Sequence, residues 1–399
     1  MLTSLALIFL SGLILADILK KLRLPRLLGM IVGGILLGPY VLNVLDGTIL
    51  GISADLRKIA LIIILIRAGL ALDVKELKKV GRPAILMCFI PASFEILGIV
   101  LIGPKILGVT VAEAAVIGAV TAAVSPAVIV PSMIKLMDEK YGTSKSIPQL
   151  IMAGASVDDV FVIVLFTSCT ALVQGGDMSI GNFVSVPISI ISGIILGMAV
   201  GFLLAKIFRN IHMRDSMKVL IILSISFLLL ALEEALKNIL PLSGLLSIMT
   251  MGISLLKNYK TLAHRLSQKF NKLWVGAEII LFVLVGATVD PKYIAMSGAA
   301  AVIVILGGLI FRAIGVVFSL IGTDLNLKER IFCVFAYSPK ATVQAAIGGI
   351  PLAMGLACGN MVLTVAVLAI LITAPLGSLA IDLSYRKLLK KEENNEAAA

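Results

Sequence analysis

Charged residues are scarce in this chain. Of its 399 residues only 14% are charged, whereas about a quarter is typical of a soluble domain. Histidine occurs twice, and the four cysteines lie inside apolar segments without CxxC spacing, so the sequence indicates neither a metal site nor a disulfide framework. Hydrophobic residues make up 59%. The composition therefore predicts an all-α polytopic membrane protein rather than a soluble enzyme or a cofactor-binding domain.

Thirteen apolar segments are candidates for membrane-spanning helices, which need about 20 residues each. They are 2–18, 26–44, 56–72, 83–103, 110–136, 148–174, 181–207, 217–237, 243–257, 271–289, 294–321, 330–354 and 358–382.

Basic residues fall almost entirely in alternate loops. Of the 34 lysines and arginines, 26 lie in one set of loops and 5 in the other. The set of loops richer in positive charge stays on the cytoplasmic side of a membrane. We therefore expect the N-terminus outside and the tail 383–399 in the cytoplasm. Because the charges lie in short loops beside apolar runs, the net charge of +11 indicates contact with membrane lipid and not with nucleic acid.

Two candidate spans carry a Ser-Pro dipeptide near their middle, Ser125-Pro126 in the fifth and Ser338-Pro339 in the twelfth. Proline removes an intrahelical hydrogen bond, and in lipid the freed carbonyl groups need partners from protein or water. Because the two spans are seven apart, they run in opposite directions. Each is the middle of a triplet of spans, a pattern that predicts an inverted-repeat transporter with its site at the membrane midplane.

Charged residues within the triplets fall in the same layer as the first break. Counted from the cytoplasmic ends of their spans at 1.5 Å per residue, five positions lie roughly 14–18 Å deep, near the middle of the bilayer. These positions are Glu95, Pro126, Asp158, Arg312 and Lys340.

Asp158 and Asp159 are adjacent acids in an otherwise apolar span. Neighbouring helical residues point about 100° apart, so one acid can face an ion while the other faces a partner. A carboxylic acid partly removed from water holds its proton to higher pH, and the same oxygens bind hard cations. We expect the hydroxyl groups of Thr121, Ser125 and Ser156 to add oxygen ligands. Competition between a proton and a cation for one carboxylate is sufficient for exchange.

Charge counting supports a site for one cation. Asp158, Asp159 and Glu95 supply three negative charges, and Arg312 and Lys340 supply two positive charges. One monovalent cation or one proton neutralises the remainder. We expect a structural pair between Glu95 and Arg312, and a pair between Lys340 and Asp158 that leaves Asp159 to bind the ion. The roles of Asp158 and Asp159 are interchangeable in this argument.

These residues resemble those of the sodium/proton antiporters of the cation:proton antiporter superfamily, especially the NHA-type exchangers with paired aspartates. The resemblance covers nearly the whole chain. It is carried by Arg67-Ala-Gly-Leu-Ala-Leu-Asp73, Ser125-Pro126, Ala155-Ser156-Val157-Asp158-Asp159 and Ser338-Pro339-Lys340-Ala-Thr-Val-Gln-Ala-Ala-Ile-Gly348.

The resemblance implies about 13 transmembrane helices in an NhaA-like antiporter fold with inverted repeats and two crossing broken helices. It matches the family's ion-binding aspartates to Asp158 and Asp159, its broken-helix lysine to Lys340, and its Glu–Arg pair to Glu95 and Arg312. Well-studied bacterial exchangers usually have lysine at the position of Arg312, so the stoichiometry stays open.

The resemblance also implies a homodimer with an elevator motion. The transport domain would comprise 83–174 and 294–382, and the scaffold and dimer domain 1–72 and 217–289, with 181–207 as a linker helix. We expect a plasma-membrane, or inner-membrane, protein of a prokaryote.

The function expected is therefore antiport of Na⁺ or Li⁺ against H⁺. A K⁺/H⁺ antiporter remains a near alternative, since the sequence hardly separates the two cations. A Na⁺-coupled symporter of organic anions is a more distant alternative, because no cluster of Asn, Gln and Ser residues is present to line a larger polar cavity.

Overall fold

A computed structural model of the chain describes residues 1–22, 24–71, 81–175, 180–236 and 240–392, without the side chains of 156, 160, 175 and 180–187. Within these ranges the fold is entirely helical, and an isolated bridge between Tyr141 and Lys391 is the only extended pairing. The helices are α1 (Leu2–Lys21), α2 (Arg26–Leu37), α3 (Gly47–Gly51), α4 (Ser53–Ala71), α5 (Arg82–Met87), α6 (Ile90–Leu107), α7 (Val111–Ala122), α8 (Pro126–Asp138), α9 (Ile147–Gly175), α10 (Ile180–Asn210), α11 (Asp215–Leu236), α12 (Gly244–Asn258), α13 (Lys260–Ala287), α14 (Pro291–Ser319), α15 (Leu327–Ala336), α16 (Thr342–Ile347), α17 (Ile350–Ala353) and α18 (Gly359–Leu388), with a 3-10 turn at Thr143–Lys145.

Each of the thirteen candidate spans coincides with one of these helices or with consecutive pieces of one, which confirms the predicted fold class. In the described ranges, nine helical segments are long and apolar enough to cross a membrane. Of the remaining spans, the second and ninth are shorter helices, the helix of the third, α4, contains four charged residues, and the twelfth is interrupted. The second ends early, at Leu37, because Gly38 and Pro39 follow and proline disfavours helical backbone in the residue before it.

The fourth span is also divided, between α5 and α6. Pro91 occupies the first turn of α6, where its missing N–H group would have no intrahelical partner in any case. The candidate span 83–103 therefore lies within the helical segment Arg82–Leu107, and the proline starts a second helix inside it.

The fifth and twelfth spans, which contain the Ser-Pro breaks, each begin with a capping box. At the start of α7, the Thr110 hydroxyl accepts from the N–H of Glu113, whose carboxylate accepts from the N–H of Thr110. At the start of α15, Asn326 and Glu329 form the same reciprocal pair. Such pairs satisfy N–H groups that the first helical turn leaves free. Each interrupted helix thus starts at a well-defined residue before it reaches its break.

The described chain divides into two compact units. The first comprises Met1–Leu13, Met30–Asp73 and Ile163–Thr288, and the second comprises Ile14–Gly29, Val74–Val162 and Val289–Ala399. The second unit contains both predicted triplets apart from residues 163–174. Its core is apolar and includes fully buried Met133, Ile151 and Phe332, contributed by α8, α9 and α15.

In the first unit, small residues bring α10 close to α12. Gly193 and Gly197 lie one turn apart on α10, and a Cβ atom at Gly197 would collide with the backbone of Ser247. The Ser247 hydroxyl donates to the carbonyl of Gly193 at 3.0 Å, and the Ser254 hydroxyl donates to that of Met198 at 2.8 Å. Small residues and interhelical hydrogen bonds of this kind hold membrane helices together where lipid provides no hydrophobic drive.

Replacing Gly197 with leucine is therefore expected to destabilise the protein by about 1–3 kcal/mol, the typical penalty for overpacking. The melting temperature of purified protein in detergent measures this loss. Gly276→Ala is a matched control, because the nearest atom to a Cβ there is a Phe9 ring carbon at 3.8 Å. Equal melting temperatures for Gly197→Leu and wild type would contradict the close approach of α10 to α12.

Candidate functional site

The two helix interruptions meet in the second unit. Residues 123–125 separate α7 from α8, and residues 337–341 separate α15 from α16. The N–H group of Ser125 donates to the carbonyl oxygen of Pro339 at 2.8 Å. The non-helical segment of each broken helix therefore contacts that of the other, as the prediction of two crossing broken helices requires.

Polar side chains satisfy the carbonyl groups that the first break leaves free. Gln344 on α16 donates through Nε2 to the carbonyl oxygens of Ala123 at 2.8 Å and Thr121 at 3.2 Å. Arg312 on α14 donates through Nη1 to that of Ala122. The break is thus stabilised by protein groups in place of water.

The second break is held in the same manner. Arg312 Nε donates to the carbonyl oxygen of Tyr337 at 2.6 Å, and its guanidinium lies 5.0 Å from the centre of the Tyr337 ring. The Tyr337 hydroxyl in turn donates to the carbonyl of Met87 at 2.9 Å. The N–H group of Lys340 donates to the hydroxyl of Thr373 on α18 at 2.9 Å. One arginine therefore holds the backbone of both interruptions.

A chain of buried ion pairs runs through the crossing. Lys340 Nζ lies 2.7 Å from Oε1 of Glu95, and Arg312 Nη1 lies 2.9 Å from Oε2 of the same carboxylate. Arg312 Nη2 reaches Oδ2 of Asp158 at 3.0 Å. That oxygen also accepts from the N–H of Val124 at 2.9 Å. The four charged side chains are at most 1% exposed, so they neutralise one another with little help from water.

This arrangement matches one predicted pairing and corrects another. Glu95 and Arg312 form the expected pair, but Lys340 pairs with Glu95 and not with Asp158. The reason is geometric. Lys340 Nζ lies close to both oxygens of Glu95, 2.7 Å from Oε1 and 2.8 Å from Oε2, whereas Arg312 Nη2 is the cationic group that reaches Asp158, at 3.0 Å.

Asp159 is in a different situation. It is 8% exposed, and within the described ranges it takes part in no ion pair. Besides Glu95 Oε1, which forms an ion pair with Lys340, five buried side-chain oxygens near the crossing have no hydrogen-bond partner among the described residues. They are Ser125 Oγ, Asp158 Oδ1, Asp159 Oδ1, Thr342 Oγ1 and Gln344 Oε1. A buried acceptor without a donor is unfavourable by about 1–3 kcal/mol, so this group of oxygens is suited to a proton or a cation.

The remaining predicted ligands are placed less clearly. The Thr121 hydroxyl donates within its own helix, to the carbonyls of Ile117 at 3.0 Å and Gly118 at 3.1 Å. The side chain of Ser156 lies outside the described part of the structure. Pro126 begins α8, and Pro339 packs against Gly377 on α18. The roles of these residues as ligands remain predictions.

Four residues at the crossing were not assigned a role from the sequence: Tyr337, Thr342, Gln344 and Thr373. Gln344 had a recognisable signal, because a glutamine inside an apolar span needs partners for its amide. Thr373 had none, since its contact with Lys340 joins residues from two separate helices. No group of three or more His, Cys, Asp and Glu side chains suited to a metal ion occurs in the ranges described.

Comparison with known proteins identifies the family of the chain. A family described as "Sodium/hydrogen exchanger, transmembrane" matches residues 5–383. Sodium/hydrogen exchanger 9B2 of Homo sapiens is 34% identical over 390 residues, which cover 93% of this chain and 71% of that protein. Sodium/hydrogen exchanger 9B1 of Homo sapiens is 32% identical over 411 residues, which cover 96% of this chain and 77% of that protein.

The fold has a solved counterpart. The structure of the sodium proton antiporter MjNhaP1 from Methanocaldococcus jannaschii at pH 8 superposes with a TM-score of 0.84 and covers 97% of this chain and 98% of that chain. At 20% identity this likeness establishes the fold alone. The family match and the relatives establish that this chain belongs to the sodium/hydrogen exchanger family of multi-pass transmembrane proteins.

Proposed function

We propose that the protein is a secondary active antiporter that exchanges Na⁺, or Li⁺, for H⁺ through Asp158 and Asp159. The observation that carries the proposal is the position of these two adjacent, buried acids beside the contact between two interrupted helices. The related human proteins are sodium/hydrogen exchangers, which supports the same ions.

The charge balance at the crossing supports exchange of one cation for protons. Glu95, Asp158 and Asp159 carry three negative charges when ionised, against two positive charges on Arg312 and Lys340. The remaining negative charge requires a proton or a monovalent cation, because an unpaired charge is strongly disfavoured away from water. A site that is neutral with either occupant binds them in competition.

We propose that Asp159 is the carboxylate at which a proton is exchanged for the cation. Asp158 already accepts from Arg312 and from Val124, whereas Asp159 has no ion pair among the described residues. Asp158 Oδ1, the other unpartnered oxygens at the crossing and the hydroxyls of Thr121 and Ser156 would complete the coordination of the ion. Na⁺ and Li⁺ are hard cations, which oxygen ligands suit.

Alternating access would follow an elevator mechanism. The second unit contains the whole charge network and both breaks, so we propose that it carries the ion. The scaffold domain of 1–72 and 217–289 would remain fixed in the membrane and form a homodimer, and the linker helix 181–207 would pack against its α12.

We propose the membrane orientation that the basic residues of the loops predict. The predominance of basic residues in alternate loops supports an external N-terminus and a cytoplasmic C-terminus in the plasma, or inner, membrane. A prokaryotic source remains part of this proposal, although the relatives named above are human.

Proteoliposomes with an internal pH dye test the function. Addition of Na⁺ or Li⁺ is expected to discharge a preformed pH gradient, and Asp159→Asn should abolish the response because the amide cannot exchange a proton for a cation. Asp138→Asn is the matched control, since it removes an exposed carboxylate on α8. Full activity in Asp159→Asn would remove this residue from the ion site. A response to K⁺ alone, or one that needs an organic anion, would support the alternative functions.

Removing Glu95 should destabilise the protein strongly. Glu95→Gln leaves Lys340 and Arg312 without their shared carboxylate, and breaking a buried pair in this way typically costs about 3–5 kcal/mol. The double variant Glu95→Gln/Lys340→Met restores the charge balance and is expected to melt at a higher temperature than Glu95→Gln alone. Additive losses from the two substitutions would show that Glu95 and Lys340 do not interact.

A further inference from the structure

We propose that Gln344 is a positioning residue that sets the affinity of the Asp158–Asp159 pair for the transported cation. It acts through the peptide group that joins Ala123 to Val124. The inference rests on the proposed antiport function and adds a residue to the same site.

The geometry is a relay across a single peptide group. Gln344 Nε2 donates to the carbonyl oxygen of Ala123 at 2.8 Å, and the N–H of Val124 donates to Oδ2 of Asp158 at 2.9 Å. This carbonyl and this N–H belong to the same planar trans peptide, in which they point in opposite directions. The amide of Gln344 and the carboxylate of Asp158 therefore hold opposite edges of one rigid plane.

The peptide between Ala123 and Val124 needs the hydrogen bond from Gln344 because it lies in the first break. Ala123 has extended backbone, with φ −70° and ψ 142°, and the neighbouring Ser125 is also extended. No helical hydrogen bond fixes the orientation of the intervening peptide. The bond from Gln344 fixes it, and hydrogen bonds in series also strengthen one another in a medium of low dielectric.

Gln344 is itself held in place. It is 1% exposed, and its Nε2 also donates to the carbonyl of Thr121 at 3.2 Å. A primary amide nitrogen has two hydrogens, so both are used. Because the amide is neutral, it satisfies two carbonyl groups without changing the single net negative charge at the crossing. Lysine or arginine at this position would cancel that charge.

Several charged or titratable groups act on Asp158 from the surrounding elements, and the relay is additional to them. They are Arg312 on α14, Glu95 on α6, Asp159 on α9, Tyr337 and Lys340 in the second break, and Cys88 between α5 and α6. None of them is altered by a substitution at Gln344, so a change in ion affinity can be attributed to the relay.

Gln344→Met tests the inference, because methionine has a similar length but no hydrogen-bond donor. Without the relay, the Val124 N–H stabilises the carboxylate less, and protons compete better with the cation. In proteoliposomes, the KM for Na⁺ should rise roughly three- to tenfold near neutral pH, which corresponds to one hydrogen bond. The difference from wild type should shrink as the pH is raised, while the maximal rate at saturating Na⁺ is retained.

Val343→Ala is the matched control. Val343 is the preceding residue on α16 and is 3% exposed, so its truncation weakens packing without touching the relay. It should lower the melting temperature and leave the KM for Na⁺ and its pH dependence unchanged. If Gln344→Met does not fold, Gln344→Asn, whose amide is one methylene shorter, is measured in the same way.

An unchanged KM in the Gln344 variant would overturn the inference. So would a lower maximal rate at every pH with an unchanged KM, because that result indicates a purely structural role. Absence of Na⁺- or Li⁺-driven exchange in wild type would instead contradict the proposed function, and this outcome is distinguishable because it does not depend on Gln344.

Discussion

The structure depends on one constraint: backbone groups released from a helix within a membrane must be satisfied by protein. Two helices are interrupted where they cross, and protein groups bind several of the backbone groups freed there. The breaks bond to each other through Ser125 and Pro339, and further hydrogen bonds come from Asp158, Gln344, Arg312 and Thr373. Interrupting a helix in this way exposes carbonyl and N–H groups to a bound ion without leaving them unpaired.

The same constraint explains why charged residues are concentrated at the crossing. A buried ion pair is of little use for stability by itself, because its attraction hardly exceeds the free energy lost on desolvation. Arg312 serves two purposes at once, since it pairs with Glu95 and Asp158 and also donates to carbonyl groups of both breaks. The network therefore joins the charge balance of the site to the stability of the interrupted helices.

The two units of the chain use different means of packing. In the first, glycines and serines bring α10 and α12 into backbone contact, with hydroxyl groups donating across the interface. In the second, the apolar core surrounds a buried polar network. Close helix packing therefore stabilises the interface in the first unit, whereas ion pairs and hydrogen bonds stabilise the polar network in the second.

The sequence by itself determined the fold class, the approximate position of every span, the two breaks and the set of charged residues. These features are local: apolar length, proline and isolated charges in lipid each have a direct energetic meaning at their own position. Tertiary structure decided which charged groups pair, so that Lys340 binds Glu95 and Asp158 binds Arg312. It also decided that Gln344 and Thr373 support the breaks, because hydrogen bonding depends on distances within about 3 Å between segments that are far apart in the chain.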